Sequence, residues 1–582
     1  MLSSEAVFNL KSLLKFFKGY RFQSVLAPIF KCLEAIFELL VPLAVTRIID
    51  VGIAQNDNKT IFAMCGVMLA LGFIGLFCAV SAQYFSAKAA VRVSTKLRSE
   101  LFAHIQDFSY SDTDRIGTST LITRMTGDIN SVQTGINMFL RLFMRSPFIV
   151  FGAMIMAFTI NVKLALIFAV TIPLLAVVVF GIMLISIPVF KKSQSRLDSV
   201  LGKVRSNYNG TRVVRAFNKE KEESENFEEK NDSLTKIQLF AGRLSALMNP
   251  LTYVIINLGV VLLIKGGAIS VQSGDITQGE LVALYNYMSQ ILVELIKLAS
   301  LIITLNKASA SASRVSSVLN TPPEQKKSFA DEYCHDGSSV KLDNVSFGYN
   351  YSGDYAINNV SFGVKRGQTV GIIGGTGSGK STLVNLISGF YAPLEGGVYI
   401  NGKNTCSYNK KELCKLIGVV PQKAQLFKGN IRENLKWGNE MTSDEELWDA
   451  LDIADAKKFI EDKNGLDTDV AQNATNFSGG QKQRLTIARA LVKKPQILIL
   501  DDSASALDYA TEAKIRSRIS NLDYAPTIFI ISQRTSSILH ADMIIVLDDG
   551  NVVGLGKHDD LLESCDIYKE IYLSQFSEGG EA

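Results

Sequence analysis

The chain has 582 residues, too many for one hydrophobic core, because single domains stop growing at roughly 250–300 residues. Hydrophobic residues make up 47%, mean hydropathy is +0.18 and Pro numbers only 12, which excludes collagen-like and disordered classes and marks a chain more apolar than an ordinary soluble protein. The net charge of +4 hides a division: residues 1–320 hold 32 Lys and Arg against 21 Asp and Glu, and residues 321–582 hold 28 against 35, so two bodies of different character share the chain.

The first 20 residues, MLSSEAVFNLKSLLKFFKGY, lack a signal-peptide cleavage site and have lysines spread through them. Residues 5–18 read as an amphipathic surface helix, with Lys11, Lys15 and Lys18 suited to anionic lipid headgroups, so residues 1–20 are expected to form a cytoplasmic elbow helix. Seven cysteines, Cys32, Cys65, Cys78, Cys334, Cys406, Cys414 and Cys565, include no C-x-x-C pair and give neither a disulfide framework nor a zinc site. Cys32, Cys65 and Cys78 lie in apolar stretches and are expected to behave as small buried hydrophobes.

Six apolar stretches follow, near 23–47, 60–87, 137–160, 162–189, 247–270 and 278–304, each long enough to cross a bilayer core of about 20 helical residues. Residues 21–305 are therefore expected to form a six-helix membrane domain. The third and fourth stretches are separated only by Asn161, Val162 and Lys163, which forces a tight hairpin. The long segments 88–136 and 190–246 are rich in Lys and Arg, so the positive-inside rule puts them, the N-terminus and the second half in the cytoplasm. Both carry helical patterning and are expected to continue the helices beyond the bilayer. Charges within the predicted spans, namely Lys31, Glu34, Glu38, Arg141, Arg145, Glu294 and Lys297, admit two readings: a solvated pathway, or helix ends outside the bilayer. For Arg141 and Arg145 the second reading is the expectation; for Glu294 and Lys297 both stay open.

Residues 306–338, with Pro322 and Pro323, read as a linker, and residues 339–582 as an α/β ATPase domain of short strands alternating with helices. The strand QTVGIIG runs into Gly374, Gly375, Thr376, Gly377, Ser378, Gly379, Lys380, Ser381 and Thr382, and then a helix, which is G-x-x-x-x-G-K-[ST] in its required setting. Glycines let consecutive backbone N–H groups turn inward around phosphates, and the helix N-terminus adds positive potential. Lys380 is expected to reach the β- and γ-phosphates of ATP, and Ser381 to ligate Mg²⁺. The apolar run Gln496–Leu500 reads as a buried parallel strand ending in Asp501, placed to hold Mg²⁺, and Asp502, where a general base for the attacking water would sit.

With these residues, Asn476-Phe477-Ser478-Gly479-Gly480-Gln481 before Lys482-Gln483-Arg484 resembles the signature motif of ATP-binding-cassette exporters, with Phe where Leu is commoner. The resemblance covers nearly the whole chain, including IIDVGI at 48–53, LITRMTGD at 121–128, GTRVVRAFNKE at 210–220 and GDITQGELVALYNY at 274–287. It implies that Tyr349 stacks on adenine, that Gln422 is the glutamine-loop residue acting in catalysis, nucleotide binding and metal ligation, and that Ser505–Asp508 crosses a dimer interface. It also implies that Ser478, Gly479, Gly480, Gln481 and Asp508 complete the ATP site of a second chain. Segments near Ser111–Gly117 and Gly210–Phe217 would be coupling helices docked on ATPase domains.

Three positions depart from that family's pattern. Asp502 stands where Glu is usual, Gln533 in ISQRTSS stands where the switch His is usual, and Ala471, Gln472 and Ala474 replace the usual Gly and Glu before the signature. One methylene fewer withdraws a carboxylate by about 1–1.5 Å, and Gln cannot become cationic near neutral pH. The pattern is similar to the degenerate-site member of heterodimeric bacterial multidrug-type exporters.

The expectation is a multi-pass plasma-membrane protein exporting amphipathic small molecules, lipids or peptides, binding ATP and Mg²⁺ and pairing with a second half-transporter. A heterodimer is favoured over a homodimer, and no nucleic-acid partner is expected. The alternatives are a homodimeric exporter or a nucleotide-sensing regulatory subunit.

Overall fold

The computed structural model describes residues 14–322, 337–349 and 354–576. It has two compact units, residues 1–106 with 117–322 and residues 107–116 with 323–582.

In the first unit, five helical stretches are long and apolar enough to cross a membrane by length and composition: Asn58–Gln106, Thr118–Ile160, Val162–Asn209, Glu220–Gln272 and Gln278–Leu319. A sixth helix, Arg21–Arg47, precedes them and carries Lys31, Glu34 and Glu38. The longest runs for 53 residues. At 1.5 Å per residue such a helix is about 80 Å long, against about 30 Å of bilayer core, so these helices continue well past the membrane, as the basic segments predict. The most apolar window of Asn58–Gln106 has a mean hydropathy of 2.5, yet only 6% of it is buried in the chain. Such a surface needs lipid or another subunit against it.

Local chemistry explains the breaks and joins. Asn161 is the single residue between helices Arg145–Ile160 and Val162–Asn209; it caps the second, accepting from the Leu164 N–H at 3.1 Å, so the hairpin is tighter than the three residues expected. The third membrane stretch is interrupted between Leu142 and Arg145. Pro147 lacks an N–H, and its ring crowds the carbonyl of Phe143, four residues back. The IIDVGI and GDITQGE motifs meet: Asp50 accepts from Thr277 Oγ1 (2.5 Å) and from the Gly279 N–H (2.8 Å). A Cβ on Gly279 would lie 2.6 Å from the Thr46 carbonyl oxygen, so only glycine allows that approach. Tyr287 is fully buried and donates to the Leu39 carbonyl at 2.8 Å, tying the first helix to the last.

Three sequence readings change here. The residues from 306 to 319, read as linker, are the last turns of helix Gln278–Leu319. Ser311, Ala312, Val315 and Ser316 are buried there, and Arg314 pairs with the buried Asp128 of LITRMTGD. The amphipathic helix over 5–18 lies mostly outside the described residues; its end, Leu14–Phe17, is one 3₁₀ turn before Gly19. Cys78 is buried, whereas Cys32 is half-buried and Cys65 exposed on an apolar helix.

The second unit contains a four-stranded antiparallel sheet and a six-stranded, mostly parallel one. The strands are β1 Val340–Phe347, β2 Ile357–Val364, β3 Thr369–Gly374, β4 Glu395–Ile400, β5 Lys403–Asn404, β6 Ile417–Val420, β7 Gly429–Asn430, β8 Asp469–Val470, β9 Ile497–Asp501, β10 Thr527–Ile531, β11 Met543–Asp548 and β12 Asn551–Gly556. The small sheet runs β2-β1-β4-β5 and the large one β12-β11-β3-β10-β9-β6. Strands β3, β9 and β10 are buried nearly throughout, which is why they read as continuous apolar runs rather than alternating ones. The helix Tyr110–Ile116, within the first segment expected to be a coupling helix, belongs to this unit. Tyr110 stacks on Phe390 at 4.6 Å, and Tyr391 donates a hydrogen bond to Asp114.

Candidate nucleotide-binding and hydrolysis site

The four neighbouring parallel strands β3, β10, β9 and β6 bring the predicted site together at their carboxyl ends. After β3 comes the glycine loop, after β10 Gln533, after β9 Asp502, and after β6 Gln422. A ligand crevice at the carboxyl ends of parallel strands is the general rule for open α/β sheets.

The loop from Gly374 to Gly379 turns sharply into helix Lys380–Ile387. A Cβ on Gly374 would lie 2.1 Å from the Leu547 carbonyl oxygen, and one on Gly379 (φ +98°) 2.6 Å from that of Ala356, so both positions require glycine. A Cβ on Gly375 or Gly377 would meet nothing within 4 Å, which leaves an open concavity over the exposed Gly375, Thr376 and Gly377. Ser378 and Thr382 are buried beneath the loop and Ser381 is exposed at the helix start. Lys380 Nζ folds over the loop, donating to the carbonyls of Gly374 (2.9 Å) and Gly375 (2.6 Å) and to Ser378 Oγ (3.3 Å). Tyr349 is half-exposed; its hydroxyl lies 3.0 Å from Thr382 Oγ1 and its ring sits edge-on to Phe347 and Tyr391.

Across the crevice, burial pushes the Asp501 carboxyl up, the Asp502 charge pushes it further, and Lys380 pulls it back. Burial lowers the Lys380 ammonium, with Asp502 and Asp501 opposing. Two adjacent half-buried carboxylates favour a bound cation. Among the described residues no cluster of three or more His, Cys, Asp and Glu side chains forms a metal cage. A donor set of Asp501, the Ser381 hydroxyl and the Gln422 amide suits Mg²⁺, which keeps several waters and is shared with phosphate oxygens.

Asp502 adopts φ +44°, donates its N–H to the Ile531 carbonyl (2.9 Å) and accepts from Gln422 Nε2 (3.2 Å). Gln533 is exposed, and a residue that sequence reading missed holds its backbone. Gln575, at the end of helix Asp566–Gln575, donates to the Gln533 carbonyl (2.7 Å) and accepts from Thr535 N (2.9 Å) and Oγ1 (3.0 Å). No motif marks position 575.

Ser478 caps helix Gly479–Val492, and Gln481 returns the bond in a capping box (3.3 and 3.0 Å). Phe477, the unusual residue of this motif, is a buried anchor at 5% exposure beneath Lys463. A Cβ on Gly480 would meet the Ala506 carbonyl at 3.0 Å, so the signature turn abuts the Ser505–Asp508 loop. Asp508 caps the next helix through the Thr511 N–H (3.0 Å), the bond that chiefly lowers its carboxyl below the usual range. Before the signature, Asn473 (φ +57°) and Ala474 (φ +51°) both take left-handed backbone, which favours glycine and strains an alanine.

The chain matches the family model described as ABC transporter transmembrane region over residues 24–295, and that described as ABC transporter over residues 357–505. It is 36% identical over 573 residues to the uncharacterized ABC transporter ATP-binding protein YfiB of Bacillus subtilis, covering 98% of this chain and 99% of that one. It is 35% identical over 563 residues to an uncharacterized ABC transporter ATP-binding protein of Mycobacterium tuberculosis, covering 96% and 97%. Its fold is similar to that of a bacterial Atm1-family ABC exporter solved with ATP bound (TM-score 0.80, 24% identity, 97% and 99% covered).

Proposed function

The chain belongs to the ABC transporter family, as a multi-pass membrane exporter subunit with a cytoplasmic ATPase domain that acts as a dimer; from that premise we propose that it is the slow-site half of a heterodimeric exporter of amphipathic molecules. The observation that carries this reading is the pair of losses at the ends of adjacent strands β9 and β10, Asp502 for Glu and Gln533 for His, beside an intact glycine loop.

Lys380 and the N–H groups of the loop would hold the ATP phosphates, Tyr349 the adenine, and Ser381, Gln422 and Asp501 the Mg²⁺. Bound Mg²⁺ would neutralise phosphate charge as it develops. Asp502 would act as the base that orients the attacking water, set back by its short side chain and committed to Gln422. Gln533 would hydrogen-bond the γ-phosphate region without adding positive charge. Loss of a positioned base costs about 3–5 kcal/mol of barrier, or roughly 10²–10⁴ in rate. Binding groups are untouched, so ATP would be retained. The Ser478–Gln481 turn and Asp508 would complete the partner's site.

The test is ATP hydrolysis by the purified chain alone, with ATP binding measured in the same sample. The expected result is binding with little turnover, and a rise of at least about 100-fold in Asp502→Glu with Gln533→His. Brisk turnover by the unmodified chain as a dimer of itself would overturn the heterodimer reading.

A further inference from the structure

Nine polar and charged side chains from four membrane helices converge inside the first unit, and the ATPase mechanism uses none of them. Glu294, 2% exposed, accepts from Arg145 Nη1 (2.5 Å), Ser146 Oγ (2.8 Å) and Lys297 Nζ (2.9 Å). Arg145 Nη2 donates to Glu38 (2.7 Å), and Lys31 donates to Glu34 (2.5 Å). Arg141 donates to the neutral amide oxygen of Gln83 (2.6 Å). Arg145 is 7% exposed and is not a solvated charge on a free helix end: it is the hub of a network linking the first, third and last helices.

Beside the network lies a cavity of about 760 Å³, lined by the cations Lys31, Arg141, Arg145 and Lys297 and by apolar Ala79, Val80 and Leu142. The cluster holds four cations against three carboxylates, and of the carboxylates only Glu34 lines the cavity. Arg145 Nε is buried without a hydrogen-bond partner, and the Lys297 side chain is 44% exposed.

We propose that this cavity binds the acidic head of an amphipathic substrate, a carboxylate or phosphate ester on an apolar body. The head would lie among Arg141, Arg145 and Lys297, and the body along Ala79, Val80 and Leu142. This rests on the export reading and narrows it to a substrate class. With one surplus positive charge, the intramembrane site is neutralised by a carboxylate and left near −1 by a fully ionised phosphate monoester, whereas a cation takes it to +2. The carboxylates keep the ligand-free site from carrying four bare cations, and Glu34 and Glu38 compete with the ligand for Arg145, so release stays feasible. Arg141 bonds the neutral Gln83 and not a carboxylate, so its charge is left for an anion.

The test uses the full chain in phosphatidylcholine nanodiscs, with equilibrium binding of radiolabelled dodecyl phosphate compared with dodecyltrimethylammonium below micelle-forming concentrations. Dodecyl phosphate is expected to bind saturably and about tenfold more tightly than the cation, and Arg141→Gln, a half-exposed position whose loss leaves no carboxylate unpaired, to weaken it about tenfold. Lys297→Met is the second variant, should Arg141→Gln fold poorly. Nanodiscs containing phosphatidylglycerol separate the two sources of the anion: loss of dodecyl phosphate binding there identifies a lipid headgroup as the ligand, and retention identifies a soluble amphiphile. Equal or tighter binding of the cation, or unchanged affinity in both variants, overturns the proposal. ATP binding by the same wild-type nanodiscs shows that the chain is folded, and ATP-dependent uptake of dodecyl phosphate into inside-out vesicles reports on the export reading separately.

Discussion

Removing either partner of the Arg145–Glu294 pair should destabilise the membrane unit far more than removing both. Arg145→Met leaves Glu294, 2% exposed, with Ser146 and Lys297 but without its 2.5 Å guanidinium partner. Glu294→Gln leaves Arg145 with Glu38 and places an amide N–H where three donors already converge. Stripping one partner from a buried ion pair costs about 3–5 kcal/mol, because the remaining charge keeps its desolvation penalty. In Arg145→Met with Glu294→Gln both buried charges vanish. The charges left behind, Lys297 and Glu38, have side chains 44% and 40% exposed and can find water. The double variant should therefore lie at least about 2 kcal/mol above the sum of the single losses in stability. The assay is unfolding of the full chain in mixed micelles by SDS titration, followed by circular dichroism, with the four proteins of the cycle run together. Solvated charges on helix ends would instead give about 0–1 kcal/mol each and additive effects, and that pattern would refute the buried-network reasoning.

Two further outcomes are expected. Gln575→Leu deletes the donor to the Gln533 carbonyl and the acceptor for Thr535, at about 1 kcal/mol per bond, so the 532–537 segment should exchange its amide hydrogens at least about fivefold faster while ATP still binds; unchanged exchange would show that Gln575 does not hold the loop. Gly374→Ala puts a Cβ 2.1 Å from the Leu547 oxygen and should abolish ATP binding with about 2–4 kcal/mol lost from the domain, whereas Gly375→Ala, whose Cβ meets nothing within 4 Å, should leave thermal stability within about 0.5 kcal/mol.

The candidate nucleotide site was legible because each part is a short motif whose spacing already encodes a strand, a turn and a helix start. The glycine loop, Asp501–Asp502 and the Ser478 turn needed no information from elsewhere in the chain. Gln575 was not legible, since it acts on a segment 42 residues earlier through one side chain at a helix end. The role of Arg145 was hidden for a related reason: its partners Glu38 and Glu294 lie 107 and 149 positions away, and hydropathy along one helix does not say which charge faces inward. Two further signals are local. Pro147 breaks the third span beside Arg145, and the buried Ser311, Ala312, Val315 and Ser316 repeat at helical spacing in what composition alone presents as linker.

The two unusual positions of the candidate site are not independent in space. Asp502 donates its N–H to the carbonyl of Ile531, two residues before Gln533, so the ends of β9 and β10 share a hydrogen bond. Asp502 also takes left-handed backbone, which aspartate tolerates better than longer side chains, and its carboxylate engages Gln422. Glutamate there must both accept φ +44° and push past the Gln422 amide, while the Gln533 loop stays anchored by Gln575. On the proposed reading, restoring only one position would leave either an unaided base or an unaided switch residue. A gain in turnover that is larger for Asp502→Glu with Gln533→His than for the product of the two single gains is therefore the signature of a site whose two losses act in one step.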